Sequence, residues 1–358
     1  MSPKVSNILA IDWLQMTFKG ALNFHEVKND LFEVNILEKT TSEFKFVADV
    51  YFLKVKFFSC CFGPKSEILP PDMILTKVYN ECLYTENYIH VLQLFEQIYS
   101  LKFNNITRFD ICLDFISFNK QYKPENLIKN YLSQKIIKSG KTKFYCIGEN
   151  NQALNFSYLR FGMKSSVINT YLYNKSLEMQ ENTTKPYIMD NWNKLINPNN
   201  SDVWRLEFSV KSPKLELRDE YGSIEYKYSH YSDMNLTNLK VLFQVLTENH
   251  FCFYANDGKV RKDRNRKLNL FNFENTELVK HLNYTKSDGS KTDKLLINRI
   301  LKNDAMLRIK APELANNILF DFKQFAESKN LDELFKKSMH KFLDTEQIQM
   351  LKKSFFQN

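Results

Sequence analysis

Two stretches of this chain, RFDICLDF at 108–115 and WRLEFSV at 204–210, switch between polar and apolar side chains at every residue. Period two is the pleat of a β-strand, whose successive side chains leave opposite faces. In the first stretch Phe109, Ile111, Leu113 and Phe115 share one face, and Arg108, Asp110, Cys112 and Asp114 share the other. In the second, Trp204, Leu206, Phe208 and Val210 oppose Arg205, Glu207 and Ser209. Each strand needs an apolar layer on one side while carrying acids and an arginine on the other. A sheet with one buried face is the least that these segments require.

The rest of the chain supplies more strands and the helices to cover them. Residues 8–18 and 44–62 are rich in Phe, Val, Tyr and Leu, the second run ending at Gly63-Pro64, and both predict strands. Val91, Leu94, Phe95, Ile98 and Leu101 recur at steps of three and four, the spacing of one helical face. Pro124 and Glu125 open a second helix with Leu127, Ile128, Tyr131 and Leu132 on its apolar side. Three short strands are expected at 142–147, 153–161 and 167–174 as an antiparallel meander. The Asn-rich stretch 180–202 is expected to be a surface loop. Beyond about residue 234 the pattern turns helical, in 236–250, 294–302, 313–328 and 331–343. The expected fold class is α+β: a mostly antiparallel sheet with flanking helices over 1–211, then a mainly helical region over 212–358.

Composition narrows the class of function. The 358 residues include 43% apolar and 25% charged side chains, and 50 Lys and Arg against 41 Asp and Glu leave a net charge of +9. Such a balance describes a folded protein and favours polyanionic partners, nucleic acid first. Cys60, Cys61, Cys82, Cys112, Cys146 and Cys252 form no CxxC pair and suit reduced thiols in a cytoplasm. The start MSPKVSNILAIDW lacks an export pattern, and no eighteen-residue uncharged apolar window occurs, so neither membrane insertion nor secretion is expected. The six histidines are scattered, without HxH or HExxH, which disfavours a histidine-based metal site.

The polar faces of the strands carry the chemistry. Asp110 and Asp114 share one face of a strand, two same-face steps apart, where a cation or an arginine between them would offset their charges. Taken alone, such a pair most simply forms a solvated polar face with Asp110 bound to Arg108. Together with Glu207, the two aspartates offer oxygen ligands to a hard cation, Mg²⁺ or Mn²⁺. Tyr171, Tyr173 and Lys175 share a face in INTYLYNKSLE, with Glu178 just beyond. One of these tyrosines is an oxygen nucleophile in waiting, and same-face geometry does not separate the two. A phenol has an ordinary pKa of about 10, so it needs a cation or a base to react at neutral pH; Lys175 offers the first. Lys175, Arg205 and Arg108 would meet phosphate charge. Phosphoryl transfer is the chemistry that uses all of these groups.

The ordered motifs Ile11-Asp12-Trp13-Leu14, Arg108-Phe109-Asp110-Ile111 with Asp114, Leu159-Arg160-Phe161-Gly162 with Ser165 and Ser166, Tyr171-Leu172-Tyr173-Asn174-Lys175 with Glu178, and Trp204-Arg205-Leu206-Glu207 resemble those of the Rep_trans-type replication initiation factors. That family includes initiators of rolling-circle plasmids, relaxases of some conjugative elements and initiators of some filamentous phages. The resemblance covers roughly 8–211. It implies a catalytic nicking and joining domain over 1–211 and a DNA-binding or accessory region over 212–358. It also implies a metal-dependent enzyme that nicks one strand at an origin, keeps the 5′-phosphate on a tyrosine and later rejoins it. By that resemblance the nucleophile falls on Tyr173 and its lysine on Lys175, with Tyr171 and Arg205 beside them. The metal-holding acids fall on Asp110, Asp114 and Glu207. Expected partners are origin DNA, single-stranded or melted at the nick, together with a host helicase and polymerase, and a homodimer is allowed.

DNA contacts are expected from Arg108 and from the run KVRKDRNRK, in which Lys259, Arg261, Lys262, Arg264, Arg266 and Lys267 face a single acid, Asp263. A solvated basic loop is the plainer reading of that run. The competing function is a non-catalytic DNA-binding or replication-scaffold protein in which the acids only neutralise Arg108 and Arg205. A tyrosine recombinase is discounted: the chain has no HxxR, and its last tyrosine is Tyr284.

Overall fold

The computed structural model describes residues 7–20, 30–67, 69–85, 87–140, 143–151, 153–163, 165–181, 185–194, 201–211, 215–219, 221, 223–259, 264–273 and 281–284. In chain order its strands are β1 (Asn7–Lys19), β2 (Phe32–Leu37), β3 (Phe44–Phe52), β4 (Val55–Pro64), β5 (Met73–Val78), β6 (Lys102–Phe115), β7 (Ile136–Lys138), β8 (Phe144–Asn151), β9 (Ala153–Phe161), β10 (Ile168–Asn174), β11 (Trp204–Val210), β12 (Leu215–Arg218), β13 (Ile224–Lys227), β14 (Phe253–Ala255) and β15 (His281–Tyr284). The α-helices are α1 (Asn80–Leu83), α2 (Tyr88–Ile98), α3 (Pro124–Leu132), α4 (Lys175–Glu181), α5 (Pro186–Trp192) and α6 (Leu236–His250).

Ten strands form one sheet in the order β2-β3-β4-β5-β1-β6-β11-β10-β9-β8, and every neighbouring pair runs antiparallel. The α+β class with a large antiparallel sheet is thus the one expected from the alternating segments. The long central strand β6 joins the two halves of the sheet, pairing with β1 on one side and β11 on the other.

The apolar faces carry the core. Phe109, Ile111, Leu113 and Phe115 of β6 and Trp204, Leu206, Phe208 and Val210 of β11 are all buried, as their alternation demands. Helices α2, α3 and α6 cover this side. Phe95 of α2 meets Phe18 and Phe58 edge-on, Phe243 of α6 meets Phe208, and Tyr131 of α3 meets Phe161. Aromatic pairs in such edge-on geometry add about 0.5–1.5 kcal/mol each beyond the area they bury.

One expectation needs correction. The stretch 180–202 is not wholly a loop, because it contains α5, whose Ile188 and Trp192 are buried one helical turn apart. Pro186 at the first position of that helix fixes its opening backbone angle, a signal outweighed in the sequence by the surrounding asparagines. After residue 211 the described residues also include strands: β12, β13 and β15 form a three-stranded sheet, and β14 pairs with β7. The helix expected at 236–250 is present as α6. Those expected at 294–302, 313–328 and 331–343 lie outside the described residues. The chain divides into compact units Met1–Thr285 and Lys286–Asn358, and all the elements above belong to the first.

Candidate active site

The register of β6, β11, β10, β9 and β8 lines up the polar side chains in rows across one face. Asp114 lies opposite Arg205, which lies opposite Tyr173, which lies opposite Tyr158. In the next row Cys112, Glu207, Tyr171, Arg160 and Tyr145 follow one another. One row further are Asp110, Ser209 and Asn169. Residues spread from 110 to 209 in the chain therefore meet because strands place them, not because they are neighbours in sequence.

The row ending in Asp114 is a closed ionic knot. Arg205 is fully buried and grips Asp114 with two bonds, Nε to Oδ1 at 2.6 Å and Nη2 to Oδ2 at 2.8 Å. Its Nη1 is 3.0 Å from Asp12 Oδ1, and Nη2 also donates to the Tyr84 hydroxyl at 3.0 Å. Trp192 Nε1 donates a further bond to Asp114 Oδ2 at 2.9 Å, and Tyr84 donates to Asp12 Oδ1 at 2.9 Å. Burial tends to raise the Asp12 carboxyl, but Arg205 and then Lys175 overcome it and hold the pKa below its ordinary 3.8. A buried guanidinium is tolerable only when its charge is matched in this way; Nη1 makes the ion pair to Asp12 without a hydrogen bond.

Asp12 reaches the knot through a bulge. Ile11 pairs with Ile111 while Trp13 pairs with Asp110, so β1 carries one residue more than β6 at this point. Bulges of this kind re-aim a side chain beside a site.

Tyr173 and Glu207 form the reactive-looking pair. The Tyr173 hydroxyl donates to Glu207 Oε2 at 2.9 Å, and both side chains are only partly exposed. Burial pushes the Tyr173 phenol well above 10, Glu207 adds to the shift, and Arg205 opposes it. Burial also raises Glu207, and the charges of Asp110 and Asp12 push further, so its carboxyl titrates at about 7 despite Arg205 and the Tyr173 bond. A carboxylate at about 7 that already holds a phenol proton is placed to accept it. Tyr171 lies opposite Glu207 in the register, and its phenol is raised by burial first and by Glu207 next.

Lys175 is buried, its Nζ 2.6 Å from Glu178 Oε2 and 5.5 Å from the centre of the Tyr173 ring. It lies over the edge of the phenol ring and is paired with Glu178. Asn174 accepts a bond from the Leu177 backbone N–H at 2.9 Å and donates to Asp202 at 2.7 Å, so it ties the start of α4 to the segment leading into β11.

Arg108 grips Asp110 with its fork, Nε to Oδ1 at 3.0 Å. Burial raises the Asp110 carboxyl, Arg108 lowers it, and the net shift is upward, with Asp12 contributing. Beside this pair the indole of Trp13 lies 4.5 Å from the Arg108 guanidinium and 3.5 Å from Lys77 Nζ.

The predicted site residues are therefore only partly brought together. Tyr173, Tyr171, Glu207, Asp110 and Arg108 share the polar face. Asp114 is not free to ligate, since Arg205 and Trp192 take both of its oxygens, and Arg205 is spent on Asp114, Asp12 and Tyr84 rather than open to phosphate. Among the described residues no group of three or more His, Cys, Asp and Glu side chains is spaced to hold a metal ion. The charge of Asp12 raises Asp110, and those of Asp110 and Asp12 raise Glu207, a crowding that a cation would relieve. Mg²⁺ commonly takes one or two carboxylates and completes its shell with water and phosphate oxygens, so Glu207 fits such a contribution, and Asp110 fits it once Arg108, which holds both of its oxygens, turns to a phosphate.

Lys259, Arg264, Arg266 and Lys267 are exposed in a loop stitched to β14 by the Ala255 N–H to Arg266 carbonyl bond and a bridge from Tyr254 to Lys267. Phe253 of β14 packs on Phe161, next in sequence to Arg160 and so on the opposite face of β9. This basic loop thus belongs to the helix-covered side of the sheet, away from Tyr173. Arg261 and Lys262 lie outside the described residues.

Asp12, Tyr84, Trp192 and Tyr158 are site residues that the sequence reading assigned no role. Only Asp12 carried a signal, within Ile11-Asp12-Trp13-Leu14. Tyr84, just past α1, and Trp192, the last residue of α5, reach the site through tertiary packing.

Among the described residues no helix is long and apolar enough to cross a membrane. No family model matches the sequence, and no curated protein matches it. A solved structure described as a rolling circle replication initiator protein from Geobacillus stearothermophilus is similar over 73% of this chain and 92% of its own, with 15% sequence identity and a TM-score of 0.44.

Proposed function

We propose that the chain is a replication initiator or relaxase that nicks one DNA strand through a phosphotyrosyl intermediate and later rejoins it. The observation that carries the reading is the Tyr173–Glu207 hydrogen bond on a polar sheet face that also holds Asp110 and Arg108. The Tyr173 oxygen attacks the scissile phosphorus, a new P–O bond forms, and the bond to the 3′-oxygen breaks. Glu207 Oε2 takes the phenol proton, and the departing 3′-oxygen takes one up to become a hydroxyl. One ester replaces another, so a later 3′-hydroxyl reverses the step without ATP. Lys175 steadies the phenolate through its field, and Arg108 meets the phosphate beside Asp110. Glu207 and Asp110 would hold Mg²⁺ or Mn²⁺, which when bound polarises a nonbridging phosphate oxygen. Arg205, Asp114 and Asp12 are positioning residues that fix β11 and hence Glu207. The liberated 3′-hydroxyl would be handed to a host polymerase and helicase.

The pairing of Asp110 with Arg108 and of Asp114 with Arg205 favours a second reading, a DNA-binding scaffold whose acids only neutralise arginines. Glu207 is the residue it leaves unexplained, because its hydrogen-bond partner is a phenol rather than a guanidinium. The test is a denaturing gel of full-length protein incubated with single-stranded DNA from its own element. The wild type is expected to form a covalent adduct, Tyr171→Phe to keep it and Tyr173→Phe to lose it. No adduct with any strand would leave the scaffold reading standing; loss in Tyr171→Phe alone would move the nucleophile to Tyr171.

A further inference from the structure

We infer that Tyr145, Tyr158, Arg160 and Tyr171, on the edge of the polar face, form a track on which unpaired bases of the cut strand stack on their way to Tyr173. The inference rests on the nicking reading and adds to it the surface that holds the substrate. The rings make an unbroken series from the sheet edge to the phenol. Tyr145 and Tyr158 are 6.1 Å apart between ring centres, Tyr158 and Tyr171 6.4 Å, and Tyr158 and Tyr173 6.3 Å. Tyr145 is 53% exposed on the edge strand β8, and Tyr158 and Tyr171 are half-buried.

Several packed tyrosines satisfy their hydroxyls inside the fold. Tyr84, Tyr88, Tyr228 and Tyr231 each donate to a named acceptor inside the fold. The hydroxyls of Tyr145, Tyr158 and Tyr171 have no such partner among the described residues. A tyrosine placed for packing normally satisfies its hydroxyl, whereas one presenting a ring to a ligand leaves it to water or to that ligand.

Arg160 gives the track its charge. Its guanidinium lies 5.4 Å from the centre of the Tyr145 ring, it pairs with no carboxylate among the described residues, and its buried Nε has no acceptor. A fork of donors without an acceptor, set between two tyrosines, matches a phosphate flanked by two bases. The bases of a duplex are stacked on one another and cannot lie on these rings, so the occupant is a single strand.

The experiment uses full-length Tyr173→Phe, which binds without cutting, and a fluorescein-labelled oligothymidine of about 16 nucleotides, the upper end of the site sizes of aromatic single-strand grooves. Affinity is read by anisotropy over a range of salt, beside a duplex of equal length. Adding Tyr145→Ala is expected to weaken single-strand binding about five- to a hundredfold with an unchanged salt slope, because a base stack is not ionic. Tyr145→Trp should restore it. Arg160→Gln should weaken it as well and flatten the log–log salt slope by about one unit.

Single-strand affinity within twofold of the parent in both Tyr145→Ala and Arg160→Gln would overturn the track, even if the wild type still forms its adduct and the nicking reading stands. Equal losses on duplex and single strand would also overturn it, in favour of a general DNA face. Selective loss without any adduct from the wild type would keep the track and sink the nicking reading instead.

Discussion

Glu207 is the residue on which the proposed chemistry turns, and its proton ties reactivity to stability. In the folded chain the carboxyl titrates at about 7 against an ordinary 4.5. Between those values the native state holds a proton that the unfolded chain has released. The stabilisation from this group is complete below 4.5 and is lost as pH rises through 7. Glu207→Gln keeps a hydrogen-bond acceptor for Tyr173 but has no charge to bury. Relative to wild type, it is expected to melt higher at pH 8 and to show little difference at pH 4.5, while adduct formation falls at least a hundredfold for loss of the base. The wild-type nicking rate should climb with pH up to about 7. Matching melting temperatures at pH 8, or a variant as active as wild type, would remove Glu207 from the proton path.

At the scale of elements, one guanidinium fastens strands and helices that are far apart in the chain. Arg205 of β11 reaches Asp114 of β6, Asp12 of β1 and Tyr84, just past α1, while Trp192 of α5 closes over Asp114. Asp114→Ala strands a buried charge and should lower unfolding stability by about 3–5 kcal/mol, read from urea denaturation. The double variant Asp114→Leu with Arg205→Met should recover much of that loss, since apolar replacements of a buried pair are often neutral. A loss below about 1 kcal/mol in Asp114→Ala, the range of exposed pairs, would show that the knot is wet. The strands of this assembly were legible because period-two alternation is a local property, and β1, β6, β9, β10 and β11 fall where it places them. α5 was not, because seven residues give too few turns for a helical period to stand out from an Asn-rich stretch.

For the whole molecule, every described element lies in Met1–Thr285, the first of two compact units. That segment alone carries Tyr173, Glu207, Asp110, Arg108 and the tyrosine track. Expressed by itself, it is expected to fold with a single cooperative melt and to form the covalent adduct on a single strand. A segment that folds but forms no adduct would assign part of the reaction to 286–358.

By itself the sequence determined which side chains share a face. Period-two strands commit Asp110 and Asp114 to one side of β6, Arg205 and Glu207 to one side of β11, and Tyr171 and Tyr173 to one side of β10, whatever else the chain does. Only the tertiary structure decided which acid meets which partner. Register across the sheet set Arg205 against Asp114 and left Glu207 to Tyr173, and a bulge brought in Asp12. Three carboxylates that look equivalent in the linear pattern therefore became an ion-pair anchor, an arginine-clamped acid and the hydrogen-bond acceptor of a phenol. The reason is physical: facing is fixed by local backbone geometry, while charge state and coordination depend on burial and on neighbours within a few ångströms, which long-range strand pairing supplies.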